Sequence, residues 1–115
     1  MRVRLGLILI LVTASVGLAQ RAGTTFEKLQ IADTAVGFAT ATLEPPGVSQ
    51  ITTCEARLET AQARYRFDGG AVSATTGMLL EMGDVLEVGN HADARALRLV
   101  KTGSTTGVLS VSCWP

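Results

Sequence analysis

The chain has 115 residues, of which ten are Lys or Arg and ten are Asp or Glu. This balanced charge excludes a protein that binds nucleic acid through a strongly basic surface. The length allows one domain with a modest hydrophobic core and is too short for two.

The N-terminus has the three parts of a cleavable export signal. Arg2 and Arg4 give a basic start, Leu5 to Val12 is an unbroken apolar run, and Val16-Gly17-Leu18-Ala19 places small residues before a cut. The apolar part is shorter than the roughly 20 residues that cross a bilayer. We therefore predict a signal peptide over 1–19 and a single domain over 20–115, secreted or periplasmic, with no membrane span in the mature form.

Cys54 and Cys113 are the only cysteines in the chain. An exported chain meets an oxidising compartment, in which an even pair of cysteines is commonly joined. A bridge would close a loop of about 60 residues, worth roughly 4 kcal/mol in the chain-entropy model. The alternative is two separate buried thiols that pack as small hydrophobes. We favour a structural disulfide between Cys54 and Cys113.

From residue 20 onward, Thr, Val, Ala and Gly are frequent and no long apolar stripe of helical period is present. Turn residues recur at about every 8 to 12 positions, which predicts short strands with helix as a minor component. Pro45 and Pro46 predict an exposed loop over 44–47, since Pro is excluded from central strands. The predicted strands are 26–31, 35–42, 52–59, 61–66, 77–80, 85–88, 97–101 and 107–113.

Alternation is clearest in the strand before residue 60 and in the last strand. Cys54, Ala56 and Leu58 share one face while charged residues occupy the other, as in a half-buried strand. The run 61–66 continues the alternation, so two neighbouring strands or one long bent strand fit equally. The fold class predicted is all-β, an antiparallel β-sandwich of jelly-roll or immunoglobulin-like type, with a small β-barrel as the alternative. Both cysteines fall on the apolar face of their strands.

Several charged and glycine residues mark predicted turns and cross-strand contacts. Glu59 is expected to pair with Arg64 or Arg66 across a hairpin. Asp68 is expected to accept backbone hydrogen bonds in the Asp68-Gly69 turn while Tyr65 packs inward. The other predicted turn and motif residues are Gly77, Gly83 and Asp84.

Catalytic and metal-binding signals are weak. His91, the sole histidine, is expected in a solvated loop, and Trp114 as a cap over the end of the sandwich, with surface contact as the functional alternative for both. Calcium ligands from Asp68, Asp84, Asn90 and Asp93 lack the spacing of a calcium loop. We predict no catalytic residue, no metal and no cofactor.

A longer pattern resembles small β-rich virion-associated proteins of tailed bacteriophages and prophages. It consists of residues 59–69 (ETAQARYRFDG), followed by 75–80 (TTGMLL) and 83–86 (GDVL), with weaker likeness at 34–38 and 97–100. The chain departs from those proteins in having Val72-Ser73 where they have Pro-Thr, and in its export signal. The resemblance implies a structural protein, and it makes the virion the alternative location.

These patterns lead to three function hypotheses. The first is a non-enzymatic, exported structural or surface-interaction module that contacts protein, with self-association through an edge strand as one route. The alternative is a small domain that binds a glycan or another surface. The third is a small hydrolase that uses a carboxylate pair drawn from the acidic residues Glu55, Glu59, Asp68, Glu81 and Asp84.

Overall fold

The computed structural model describes residues 24–47 and 50–115. The predicted signal peptide over 1–19 lies outside the described residues. Within them the chain forms seven strands and two short helices. In chain order these are β1 (Thr25–Ile31), α1 (Thr40–Leu43), β2 (Thr53–Thr60), β3 (Ala63–Arg66), β4 (Met78–Leu80), β5 (Val85–Val88), α2 (His91–Ala96), β6 (Arg98–Lys101) and β7 (Gly107–Trp114).

The strands form two antiparallel sheets that pack against each other. The four-stranded sheet has the order β1-β7-β2-β5, and the three-stranded sheet has the order β4-β3-β6. Alternating side chains from the two facing surfaces make the core, as in other sandwiches. The predicted β-sandwich is confirmed, with two separate sheets instead of a closed barrel.

The central ladder of the larger sheet joins β2 to β7. Along β2 the inward residues Cys54, Ala56 and Leu58 are buried, and the residues between them are exposed or half-buried. Along β7 the buried residues alternate in the same way, so the predicted faces of both strands are confirmed. This period of two arises because successive side chains of a strand point to opposite faces of the sheet.

The predicted disulfide is present between these two central strands. Cys54 lies directly opposite Cys113 in the ladder, and their sulfurs are bonded. Their Cα atoms are 4.1 Å apart, close to the separation of about 4.5 Å in a non-hydrogen-bonded antiparallel pair. Both cysteines are fully buried. The disulfide therefore links two neighbouring strands of one sheet and does not connect the two sheets across the core.

The core lies between the sheets and is mainly aliphatic. Most of its fully buried large side chains lie on strands, while Ile51 and Leu97 lie in the segments between them. The fully buried large residues are Ile31, Ile51, Leu58, Leu97, Leu99, Leu109 and Val111, together with the two cysteines.

The predicted strand over 35–42 is wrong. Val36 alone pairs with Leu99 of β6, and residues 40–43 form α1. A Cβ at Gly37 would lie 2.7 Å from the Leu97 carbonyl oxygen, so a larger residue would not fit at this position. The predicted loop over 44–47 contains no helix or strand, as expected.

The choice between one bent strand and two strands is settled at Ala61. β2 belongs to the larger sheet and β3 to the smaller one, so the chain changes sheet between Thr60 and Ala63. Ala61 has φ of 61°, in the left-handed region that non-glycine residues seldom occupy. Two separate strands are present.

The prediction that His91 lies in a loop is also wrong, because residues 91–96 form α2. Asn90 caps this helix: its side chain accepts a hydrogen bond from the Asp93 N–H at 2.8 Å and donates one to the Asp93 carboxylate at 2.9 Å. Asn is among the preferred N-cap residues because its side chain satisfies a backbone N–H that the helix leaves unpaired.

Replacing both cysteines, Cys54→Ala with Cys113→Ala, should lower the free energy of unfolding by about 4 kcal/mol, because the unfolded chain regains the freedom of the closed loop. Urea unfolding under non-reducing conditions measures this loss. Adding reductant should destabilise the native chain and leave the double variant unchanged. A loss below about 1 kcal/mol would contradict the role of the disulfide as a main source of stability.

Candidate interaction surface

The predicted turn after β3 is built around Asp68. Its carboxylate accepts hydrogen bonds from the Gly70 N–H at 3.0 Å and from the Arg66 guanidinium at 3.0 and 2.7 Å. Gly69 has φ of 85°, which suits a residue without a Cβ. The hydrogen bond from Arg66, followed by that from Gly70, lowers the pKa of Asp68 to about 2, and the same contact raises the pKa of Arg66. The backbone role expected for Asp68 is confirmed.

The expected pairing of Glu59 with Arg64 or Arg66 is wrong. Glu59 lies in the larger sheet, where its carboxylate accepts a hydrogen bond from the Ser110 hydroxyl and lies 3.5 Å from the Lys28 ammonium. Arg64 and Arg66 belong to the smaller sheet, so no hairpin joins them to Glu59.

Arg64 instead holds the loop that leads into β4. Its guanidinium donates to the Ala74 carbonyl at 3.1 Å and to the Gly77 carbonyl at 2.8 Å. Gly77 has φ of 136°, and a Cβ there would lie 2.9 Å from a Val72 methyl group. Arg64 and Gly77 therefore fix the path of the chain from β3 to β4.

The turn between β4 and β5 links the two sheets. The Asp84 N–H donates to the Glu81 carbonyl, and the Asp84 carboxylate accepts from the Glu81 N–H at 2.9 Å. Gly83, with φ of 92°, occupies the third position of this turn, where a type II turn requires positive φ. The Gly83 N–H donates to the Leu58 carbonyl, and the Leu58 N–H donates to the Asp84 carbonyl. This turn is therefore anchored to β2.

The aromatic residues differ in how far they are buried. Tyr65 is half-buried against the core, in agreement with its predicted inward direction. Phe67 stacks on Tyr65 with ring centroids 6.1 Å apart, and it lines a cleft of about 240 Å³ with Met78 and the Arg66–Asp68 pair. Phe26 is 60% exposed on β1. Trp114 is half-buried as the last residue of β7.

His91 is buried far more than a solvated loop residue, with a side chain only 13% exposed. Its Nδ1 lies 2.7 Å from the Ile51 carbonyl oxygen, and its Nε2 lies 3.4 Å from the Glu44 carboxylate. The ring therefore packs between the two chain segments that flank residues 45–50. Most of the ring is therefore buried, and the surface-contact role of His91 stays a prediction.

The acidic residues considered for catalysis and calcium serve separate local structures. Glu81 accepts hydrogen bonds from the Gln62 amide, and Glu55 lies directly opposite Glu87 on the outer face of the larger sheet. Asp93 pairs with Asn90, while Asp68 and Asp84 satisfy their own turns. Among residues 24–47 and 50–115, no three His, Cys, Asp or Glu residues are placed to hold a metal.

Exposed apolar side chains concentrate at one side of the sandwich. Six large hydrophobic residues are exposed in the described part of the chain, and four of them lie between residues 78 and 85: Met78, Leu79, Met82 and Val85. This segment contains β4, β5 and their turn. β4 ends the smaller sheet and β5 ends the larger one, and no described segment pairs with the outer side of either strand. We call residues 78–88 the open edge.

The opposite side of the sandwich, where β1 and β6 end the sheets, is partly covered. The Lys101 N–H donates to the Ala32 carbonyl, and Val36 and Leu99 exchange two backbone hydrogen bonds. The segment 32–36 therefore lies along β6 and uses part of its edge. Sequence patterns could not identify the open edge, because its existence depends on which strands end the sheets.

Neither helix in the described residues has the length and apolarity that a membrane crossing requires. Comparison with known proteins finds no matching family model, no similar curated protein and no similar solved structure.

Gly83→Ala should destabilise the domain by about 1 kcal/mol, because Ala disfavours the positive φ of the turn. Gly89→Ala is the matched control: its added methyl group meets no neighbour within 4 Å, and its φ lies outside the left-handed region. Urea unfolding of both variants measures the difference. Equal stability of the two variants would contradict the role of Gly83 in the turn.

The carboxyl of Asp68 should titrate near pH 2 in a side-chain carboxyl NMR titration. Its pKa is lowered in the folded chain, so its stabilising contribution is complete above the unfolded pKa of about 4 and is lost as the pH falls from there through 2. Arg66→Gln should raise the pKa of Asp68, because the hydrogen bond from Arg66 is the largest cause of the shift. An unchanged midpoint in this variant would contradict that assignment.

Proposed function

We propose that this chain is an exported, non-enzymatic interaction module, which binds a protein partner along the open edge. The observation that carries this proposal is the coincidence of two free sheet edges with most of the exposed large hydrophobic side chains. Strand edges offer unpaired backbone hydrogen-bonding groups, and apolar side chains beside them supply buried area on binding.

The contrast between the two long sides of the larger sheet supports this choice of surface. β1, at the other side, carries Lys28 on its outer face and has Glu27 pointing inward, where Glu27 accepts a hydrogen bond from the Ala39 N–H. Charged residues of this kind, especially Lys and inward-pointing acids, protect edges from pairing. The open edge has no Lys, Arg or Pro between residues 78 and 88.

The disulfide supports an exported location. Disulfides persist in oxidising compartments such as the periplasm and the extracellular space, and the Cys54–Cys113 bridge is part of the fold. The N-terminal signal features point to the same compartments. A virion location stays a prediction from the resemblance to phage proteins.

A second candidate function is glycan binding at the cleft beside Phe67. The exposed, stacked ring of Phe67 would offer an apolar face to a sugar ring. Arg66 and Asp68, the charged residues of this cleft, already satisfy each other. Few polar groups then remain to bind hydroxyls, so we rank this function below protein binding.

Site-specific photocrosslinking of the exported chain tests the proposal. A benzophenone side chain at Met82, which is 66% exposed, should form a discrete adduct with a second protein molecule. The same probe at Phe26, which is similarly exposed but lies on β1, is the matched control and should give none. Val85→Pro should abolish the Met82 adduct, because proline lacks the backbone N–H that strand pairing at this edge requires.

Urea unfolding of the Val85→Pro chain verifies that the domain remains folded, as expected because the Leu58–Asp84 hydrogen bond sets the Val85 N–H on the side of β5 away from β2. Adducts of equal yield from both probe positions, or a Met82 adduct that survives Val85→Pro, would contradict binding at the open edge. Absence of any adduct at Met82 would contradict the proposal as a whole.

A further inference from the structure

The hydrogen-bond pattern of β2 decides which backbone groups β5 presents at the open edge. The Leu58 N–H donates to the Asp84 carbonyl at 3.1 Å. In an antiparallel ladder, hydrogen-bonded and non-hydrogen-bonded pairs alternate. The pair of Ala56 with Leu86 is therefore hydrogen-bonded, while Val85 and Glu87 direct their N–H and C=O groups away from β2.

The disulfide gives independent support for this alternation. The short Cα separation of 4.1 Å marks Cys54 and Cys113 as a non-hydrogen-bonded pair. The backbone groups of Cys54 therefore point away from β7 and toward β5, where Cys54 lies opposite Val88. With this alternation, the backbone N–H and C=O groups of Val85 and Glu87 form no hydrogen bond with β2 and face outward at the open edge.

The outer face beside the open edge carries an unfavourable charge arrangement. Glu55 and Glu87 lie directly opposite each other, and both are exposed. Like charges in this position are destabilising. Among the described residues, neither carboxylate lies within ion-pair distance of a Lys, Arg or His side chain.

An unpaired cation lies close to the same edge. Arg57 is opposite Val85 in the ladder, and its guanidinium donates to the Gly83 carbonyl at 3.2 Å. No described acidic side chain forms an ion pair with it. The guanidinium therefore lies beside the turn that leads into β5, at the start of the open edge.

We infer that the partner of the open edge is a second copy of this chain, paired β5 to β5 in antiparallel orientation about a two-fold axis at Leu86. This inference rests on the proposed function. In this register Val85 of each copy lies opposite Glu87 of the other. Both residues present outward backbone groups, so each such pair exchanges two hydrogen bonds.

Charge complementarity favours this register over its neighbours. It places Glu87 of one copy directly opposite Val85 of the other, so that Arg57 is the next side chain in the same row of the outer face. The long Arg57 side chain then attracts this carboxylate and partly offsets the repulsion between Glu55 and Glu87. A two-fold axis at Glu87 would place the Glu87 carboxylates of the two copies directly opposite each other, where like charges repel. An axis at Val85 would pair Glu87 with Gly83, whose N–H is already bonded to Leu58.

The same axis also covers the exposed apolar side chains. β4 is joined to β5 by the turn 81–84, so the two β4 strands face each other across the axis when the two β5 strands pair. Met78 and Leu79 then lie between the copies. Two-fold interfaces of this kind bury the same patch on both subunits.

Sedimentation velocity of the mature, disulfide-bonded chain over a concentration series tests the inference, with a monomer–dimer equilibrium as the expected result. Arg57→Glu and Glu87→Arg should each weaken the dimer by roughly tenfold or more, since each sets like charges together across the axis. The double variant that exchanges the two charges should recover the native dimer affinity. Phe26→Lys should leave the affinity unchanged.

Measuring the folding stability of Glu87→Arg shows whether the variant weakens the dimer directly or does so by destabilising the monomer. Glu87→Arg removes the repulsion with Glu55 within one copy, so the monomer should unfold at the same or a higher urea concentration while its dimer weakens. A dimer that the double variant fails to restore would overturn the register.

A chain that stays monomeric at every concentration would overturn self-pairing. If the Met82 adduct persists in that case and is lost in Val85→Pro, the proposed function stands with a different protein as partner. If the adduct is also absent, both the inference and the proposed function fail.

Discussion

The pairing of β2 with β7 is the contact on which the rest of the structure depends. It forms the middle of the larger sheet, β1 and β5 attach to its two sides, and its inner face supplies much of the core. The two strands are far apart in sequence, with their cysteines separated by 59 positions. Closing such a loop costs conformational entropy, and the Cys54–Cys113 bridge removes that cost from folding by restricting the unfolded chain. A small domain with a modest core gains most from such a bridge.

Sequence patterns predicted the strands whose two faces differ in polarity. β2 and β7 alternate strictly because one face meets the core and the other meets solvent, and their boundaries were correct to within a residue or two. Other elements depend on contacts that a local pattern does not contain. The segment 35–42 has the composition of a strand, yet only Val36 pairs with β6, and residues 40–43 form α1. The helix α2 was missed, although Asn90 followed by Asp93 is a recognisable capping signal.

In the candidate site, too, contacts between residues close in sequence could be predicted, while those that depend on sheet topology could not. Asp68 was assigned correctly to its turn because its partners lie within two residues of it. The partner of Glu59 was assigned wrongly because alternation continues past Ala61, where the chain changes sheet, and nothing in the pattern marks that change. The open edge required knowledge of strand order. Its apolar residues look like ordinary core positions in the sequence, and only the sheet topology shows that β4 and β5 have a neighbour on one side alone.

The position of β7 also constrains when the chain can fold. β7 is the last strand of the domain, yet it lies between β1 and β2, which have no other link within their sheet. Nascent β1 and β2 therefore lack their common partner until the end of β7 has left the ribosome. Sheets that depend on such distant pairing form slowly. A chain without β7 would lack the central ladder of the larger sheet and the disulfide together, because Cys113 lies on β7.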